Sequence, residues 1–232
     1  MESFIRENIE VIREKIARAA EKAGRDPKDV LLLAVTKTID NERIREAVDA
    51  GLCELGENKV QEIMDKYDTL CRDVKWHMIG HLQTNKVKYI IDKVTLIHSV
   101  DSLKLAEEIN KKAAKAEKVM DILVEINVAD EESKFGITCD VAEDIIRKLS
   151  TMHNIRVRGL MTVAPFVEDG EQNRPVFVRL RQLLVDINAK KIDNVNMDIL
   201  SMGMTGDYEV AVEEGATIVR VGTGIFGPRV YL

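Results

Sequence analysis

Val30-Leu31-Leu32-Leu33-Ala34-Val35-Thr36-Lys37 runs directly into Thr38-Ile39-Asp40. A short leucine and β-branched run set off by Pro27 and Asp29 predicts a strand, Val30–Lys37, buried on both faces as in a parallel sheet. No glycine stands between Val35 and Asp40, so the strand is not followed by the GxGxxG turn that opens a nucleotide-binding doubly wound sheet. Lys37 closes the run. An ammonium group at the exit of a buried strand either reaches water along its own stem or is held at a site. In a site, desolvation or a neighbouring cation lowers its pKa and makes the amine a nucleophile toward carbonyls.

Seven further apolar runs follow, read as strands at Glu54–Asn58, Trp76–Gly80, Leu96–Val100, Ile122–Val128, Val157–Val163, Met197–Met202 and Thr217–Gly222. Helical patterns lie between them near 41–50, 59–71, 84–92, 102–117, 139–152, 172–190 and 206–213. Asp101-Ser102 reads as an N-cap, and Gly51 and Gly215 as helix stops. Before the first strand, Ile5, Ile9, Ile12, Ile16, Ala19 and Ala23 form one apolar helical stripe that Gly24 and Pro27 end. Eight strands alternating with helices predict an α/β fold, a single (β/α)8 TIM-type barrel domain over residues 1–232, with a doubly wound open sheet as the alternative. About ten residues follow the eighth strand, too few for a full helix. The extra N-terminal helix is expected to fill that gap in the outer ring.

The 232 residues are 45% hydrophobic and 32% charged, with 40 acidic against 34 basic side chains and a net charge of −6. That balance, with only 4% aromatic residues, argues against a nucleic-acid binder. Lys111, Lys112, Lys115 and Lys118 alternate with Glu107, Glu108 and Glu117 and read as a solvated helix face. Cys53, Cys71 and Cys139 are scattered and form no CxxC pair, as suits reduced thiols. No run approaches membrane-spanning length and no apolar leader is present, so a soluble, cytoplasmic protein with no membrane contact is expected. His77 and His81 stand four apart, but Gly80 and strand-like flanks break the helix that a zinc HxxxH motif needs. Core or hydrogen-bonding roles are expected for them and no metal; His98 and His153 are read as structural or exposed, and Met161, Met202 and Met204 as packing residues.

In a barrel of this kind the working residues stand at the C-terminal ends of the strands. Those ends hold Lys37, Glu57, Asn58, Gly80, His81, Asn127, Met161, Ser201, Met202, Gly203, Arg220, Gly222 and Thr223. Ser201-Met202-Gly203-Met204-Thr205-Gly206-Asp207 and Gly222-Thr223-Gly224 read either as an anion cradle of backbone N–H groups and hydroxyls or as two ordinary glycine turns. Arg220, amid Ile218-Val219-Arg220-Val221, is either a structural ion pair or a ligand contact. An amine, a phosphate cradle and an arginine together fit a phosphorylated aldehyde held as an imine, pyridoxal phosphate.

The chain resembles the pyridoxal phosphate homeostasis proteins, which share the fold of the alanine racemase N-terminal barrel (fold-type III). The resemblance rests on Leu33-Ala34-Val35-Thr36-Lys37, Leu55-Gly56-Glu57-Asn58-Lys59, Trp76-His77-Met78-Ile79-Gly80-His81-Leu82-Gln83-Thr84-Asn85-Lys86, Arg158-Gly159-Leu160-Met161-Thr162, the Leu200–Asp207 stretch and Val219-Arg220-Val221-Gly222-Thr223-Gly224-Ile225-Phe226-Gly227. These segments span nearly the whole chain. The resemblance implies pyridoxal 5'-phosphate as cofactor, held as a Schiff base on Lys37. It places Ser201, Gly222 and Thr223 at phosphate positions, with Met202 and Gly203 in the same turn. Arg220 then faces the pyridine nitrogen, Asn58 lines the ring and His81 lies nearby. The usual serine after the Met-Gly-Met turn is Thr205 here, which keeps the hydroxyl.

A fixed cation beside the pyridine nitrogen disfavours its protonation and weakens the ring as an electron sink. The related racemases take a second acid/base, a tyrosine, from an additional domain and a partner chain. Here Tyr67, Tyr89, Tyr208 and Tyr231 end no predicted strand. The expectation is therefore a carrier or buffer for vitamin B6 without robust catalysis, a monomer, with apo-enzymes as possible recipients. A racemase-like enzyme and a phosphate-binding barrel without pyridoxal phosphate are the alternatives.

Overall fold

Leu31 and Leu33 point to one face of the first strand while Leu32 and Ala34 point to the other, and hydrophobic side chains cover both faces. The structure, a computed structural model, describes residues 4–70, 73–131 and 134–228. Cys71 and Tyr231 lie outside the described residues. The strands are β1 Leu31–Val35, β2 Glu54–Glu57, β3 Lys75–Met78, β4 Val94–Val100, β5 Met120–Glu125, β6 Ile155–Met161, β7 Val195–Ser201 and β8 Ile218–Val221. They pair in parallel in chain order, and β8 returns to β1 to close the barrel. The open-sheet alternative is thereby set aside.

The outer ring is α1 Phe4–Lys22, α2 Asn41–Asp49, α3 Val60–Tyr67, α4 Leu103–Lys115, α5 Ala142–Leu149, α6 Arg174–Ala189, α7 Tyr208–Glu213 and the single turn α8 Thr223–Phe226. Ser102 caps α4 as expected, its side chain accepting the Leu105 N–H. Gly51 and Gly215 take the left-handed conformation that ends a helix. Between β3 and β4 the expected helix near 84–92 is instead a 3-10 helix, Thr84–Tyr89. Its buried Val87 and the buried Ile90 that caps it stand three apart, the repeat that a 3-10 turn places on one edge. The element expected near 139–152 shortens to α5, because Cys139 and Asp140 lie in a turn that the Thr138 hydroxyl holds by bonding Asp140.

The N-terminal helix takes the place left by the single-turn α8. Ile5, Ile9, Ile12 and Ile16 are buried on a face that packs against α2, α7 and α8. Polar ties flank the stripe: Asn8 Nδ2 donates to Ile225 O at 2.9 Å and Lys22 pairs with Glu213 at 2.7 Å. Inside the barrel, Leu33, Leu96, Leu123, Met161 and Ile218 form an apolar cluster, above which the strand ends open into a mouth.

Ile9 is 1% exposed, so Ile9→Ala removes buried methyl groups from the seam between α1 and the barrel. A loss of about 3 kcal/mol is expected in urea unfolding. A loss below about 1 kcal/mol would mean that α1 is not part of the cooperative core.

Candidate functional site

Parallel pairing brings every C-terminal strand end to one rim. Lys37 stands two residues beyond β1, Asn58 follows β2, Arg220 lies within β8, and Gly222-Thr223 follows it. These five residues line one cavity of about 320 Å³, of a size that takes a small organic ligand. The loops Val163–Val167 and Met204–Asp207 complete the wall, with Phe166 98% exposed at its edge. Gly80 lets the end of β3 approach β2, since a Cβ there would stand 2.5 Å from the Asn58 carbonyl oxygen.

A buried ion pair on the outer side of the strands fixes the backbone around Lys37. Residues alternate in and out along a strand, so Thr36 and Glu57 face α3 while Lys37 and Asn58 face the mouth. Lys66 of α3 donates to Glu57 Oε1 at 2.8 Å, to Glu62 Oε2 at 3.0 Å and to the Thr36 carbonyl at 2.9 Å. The Thr36 hydroxyl donates to Glu57 Oε1 at 2.6 Å. On the other side of Lys37, the Thr38 N–H donates to Glu62 Oε2 at 2.7 Å. Thr38 has φ +64°, a left-handed conformation that disfavours threonine, so this bond holds a turn the residue would not choose. Both peptide neighbours of Lys37 are thus clasped by one charged cluster. Burial pushes the Glu57 carboxyl up despite Lys66, and its Oε2 is buried without a hydrogen-bond partner.

At the wall of the same cavity, two turns meet. Thr205 Oγ1 and Thr223 Oγ1 lie 3.2 Å apart, and the Gly224 N–H donates to Thr205 Oγ1 at 3.3 Å. Asp207 braces the first turn: its Oδ1 accepts the Met204 N–H at 2.6 Å and its Oδ2 accepts from Asn173 Nδ2 at 2.8 Å. Hydroxyls and N–H groups of short turns, offered together at a cavity wall, suit a phosphate.

Of the nine residues singled out from sequence, Lys37, Asn58, Arg220, Gly222 and Thr223 share this cavity; Ser201, Met202, Gly203 and His81 do not line it. Ser201 ends β7 with its side chain turned into the barrel and fully enclosed. Its hydroxyl accepts from Arg220 Nη1 at 2.6 Å, so it meets the guanidinium and not the double turn. Met202 alternates outward into the helix-side core, and its N–H donates to the Ile218 carbonyl. Gly203 has φ +89°, and a Cβ there would stand 2.5 Å from the Ala211 Cβ, so its smallness seats α7 on the barrel. His81 sits at the rim, half-exposed, 2.9 Å from Asp101 and stacked on Phe135. His77 points instead into the interior, where its Nδ1 lies 2.9 Å from His98 Nε2. The His77–His81 spacing therefore makes no joint site, and among the described residues no cluster of metal-binding side chains forms. Thr205, the hydroxyl noted from sequence after the Met-Gly-Met turn, lines the cavity, whereas the Lys66–Glu62 clasp was not singled out from sequence. Strand alternation through Ile199 and Ser201 was the available signal that the cradle begins after Gly203.

Arg220 is 4% exposed. Its Nη2 donates to the Thr162 carbonyl at 2.7 Å. Burial pulls the guanidinium down to about 10, against the pull of Glu125 and Asp207. Glu125 faces the same interior from the end of β5. Burial, with Asp101 nearby, pushes its carboxyl up to about 7, while Arg220 opposes the rise.

The alanine racemase N-terminal domain family matches residues 5–230. A pyridoxal phosphate homeostasis protein of Aquifex aeolicus is 46% identical over 226 residues, 97% of this chain and 98% of its own. That of Escherichia coli K12 is 37% identical over 232 residues, 98% and 97% of the two chains. Among solved structures, PipY of Synechococcus elongatus with pyridoxal phosphate bound is similar at a TM-score of 0.80 and 32% identity, covering 91% of this chain and all of that one (100%).

Lys66→Met strands the buried Glu57 carboxylate and is expected to lose about 3–5 kcal/mol near neutral pH. Because Glu57 has a raised pKa when folded, the native state binds more protons than the unfolded state between the ordinary glutamate value and the raised one. Stability therefore falls as pH rises through that window. Removing the Lys66 cation raises Glu57 further and widens the window, so the deficit should be larger at pH 8 than near pH 4.5. Urea unfolding at the two pH values checks this, and an equal deficit at both would contradict it.

Proposed function

We propose that this chain, which belongs to the pyridoxal phosphate homeostasis proteins within the alanine racemase N-terminal domain family, holds pyridoxal 5'-phosphate as a Schiff base on Lys37. It serves intracellular vitamin B6 homeostasis as a carrier or buffer. One observation carries the reading: a single cavity joins the Lys37 amine, the Arg220 guanidinium and the Thr205–Thr223 double turn. These groups match the aldehyde, the pyridine nitrogen and the phosphate of one small molecule. The bound cofactor supplies an aldehyde that forms and exchanges imines with amines.

The residues divide the work. Lys37 presents the nucleophilic amine, held by the clasp on Thr36 and Thr38. Thr205 and Thr223, with the N–H groups of their turns, take the phosphate, and Gly222 lets β8 pass close beside it. Asn58 lines the ring. Arg220 meets the ring nitrogen as a cation and keeps a proton off it, which weakens the ring as an electron sink. Ser201 acts through Arg220, and Met202 and Gly203 shape the turn behind the phosphate. His81 belongs to the rim.

The carrier reading is supported by what the wall offers. Among the described residues, none of Tyr67, Tyr89 and Tyr208 lines the cavity, and neither does a histidine or cysteine. The one carboxylate, Asp207, is engaged by Met204 and Asn173. Racemase-like proton exchange needs a second base across the cofactor from Lys37, and the described residues of this wall offer none. The same reading takes apo-enzymes as recipients and has the chain work as a monomeric single-domain barrel in the cytoplasm. No helix among the described residues is long and apolar enough to cross a membrane.

Purified protein incubated with pyridoxal phosphate should turn yellow, and borohydride reduction should leave the adduct on the peptide holding Lys37. Lys37→Ala should lose the covalent adduct and keep its unfolding midpoint. A protein that stays colourless, or an adduct on another lysine, would overturn the assignment. The cradle is tested separately: Thr205→Val with Thr223→Val should weaken binding of pyridoxal phosphate by at least about tenfold, the worth of a hydrogen bond to a charged group. Binding of unphosphorylated pyridoxal should not change, and an equal loss for both ligands would place the phosphate elsewhere.

A further inference from the structure

A continuous polar thread crosses the barrel interior from its mouth to its opposite rim. Arg220 Nη1 donates to Ser201 Oγ at 2.6 Å, and that oxygen lies 2.9 Å from His98 Nδ1. His98 Nε2 lies 2.9 Å from His77 Nδ1, and His77 Nε2 lies 2.7 Å from Glu54 Oε2. The five side chains come from β8, β7, β4, β3 and β2. Ser201 and His98 are wholly enclosed and His77 nearly so, so each must find its partners within the thread.

The two ends dictate the direction of every bond. A guanidinium has only donors and an ionised carboxylate only acceptors. Ser201 Oγ accepts from Arg220, and its own enclosed proton needs an acceptor within the thread, which His98 Nδ1 provides at 2.9 Å. His98 then carries hydrogen on Nε2 and donates to His77 Nδ1, which leaves His77 to donate from Nε2 to Glu54. One arrangement satisfies every atom with both rings neutral: each imidazole is the Nε2–H tautomer. Burial, with His77 and Arg220 close by, holds His98 well below the ordinary imidazole range. Burial works against ionised Glu54, but hydrogen bonds with His77 and Lys75 hold its carboxyl below its usual value.

We propose that Glu54, His77 and His98 are positioning residues for Arg220: a hydrogen-bonded chain, polarised from the guanidinium at the mouth to the carboxylate at the far rim, fixes which edge of Arg220 faces the cavity. With Nη1 held by Ser201 and Nη2 by Thr162, the guanidinium cannot rotate without breaking a fully enclosed chain. The proposal rests on the cofactor reading above, because the pyridine nitrogen is the group that the held edge meets. Glu54 thereby acts on the ligand site from the other end of the barrel without touching it.

Long-range proton–nitrogen spectra of the cofactor-free protein, labelled with 15N in histidine, should show His77 and His98 neutral and each protonated on Nε2 at pH 7. A charged ring, a tautomer mixture or an Nδ1–H form would overturn the chain, and this measurement needs no variant. Titration with pyridoxal phosphate labelled with 15N in the ring then tests the positioning. His98→Leu should bind about tenfold more weakly and move the ring-nitrogen signal upfield, toward the protonated position. His98→Gln, whose amide accepts from Ser201 and donates to His77, should restore both. Wild-type affinity and an unmoved ring signal in His98→Leu would overturn the positioning role. Failure of the wild-type protein to bind pyridoxal phosphate would overturn the cofactor reading and the ring-nitrogen role together, while the tautomer result would still decide the chain.

Discussion

Closure of the barrel between β1 and β8 is the constraint on which the site depends. The closing register sets Leu33 opposite Arg220 and Ala34 opposite Val221. Residues from the two ends of the sequence thereby become neighbours: Lys37 beyond β1, and Gly222 and Thr223 beyond β8. In an open sheet these strands would be edges, and the amine would have no guanidinium or double turn to face. The single-turn α8 leaves this seam thinly covered, and the Ile5–Ile16 stripe of α1 supplies the missing apolar layer.

Strand alternation then sorts the buried polar side chains into two systems. Outward-facing Thr36 and Glu57 meet Lys66 behind the strands, and that cluster grips the backbone on both sides of Lys37. Inward-facing Glu54, His77, His98, Ser201 and Arg220 share the interior and hold the guanidinium. Polar groups in a low-dielectric interior are costly when unpaired and strongly orienting when paired. The barrel uses both systems at the wall of one cavity, and each sets the position of a group that would otherwise be a flexible cation.

Much of this was legible from sequence because it is local or periodic. The run Val30–Lys37, the seven later runs and the α1 stripe carry their own periodicity, and the missing glycines after Val35 favoured a closed barrel over an open sheet. Lys37 and Arg220 stood out as cations in apolar runs. What was not legible depends on contacts distant in sequence. Ser201 meets His98 across 103 positions, and nothing local marks either as the other's partner. Ser201 was placed with the phosphate residues because its motif reads as one turn. Alternation through Ile199 turns it inward, and the exposed hydroxyl at the cavity belongs to Thr205. The region near 84–92 has helical spacing at Val87, Ile90 and Ile91, but the structure forms only a tighter turn there. Lys66 lies within the helical pattern near 59–71, where nothing local marks it as the partner of Thr36 and Glu57.

The central claim is that one cofactor spans the three groups that closure brings together. A crystal structure of the protein grown with pyridoxal phosphate tests it most directly. The account predicts electron density continuous with Lys37 Nζ, a phosphate between Thr205 and Thr223, and the ring nitrogen at Arg220. A phosphate seated away from that double turn, or a ring whose nitrogen faces away from Arg220, would contradict it.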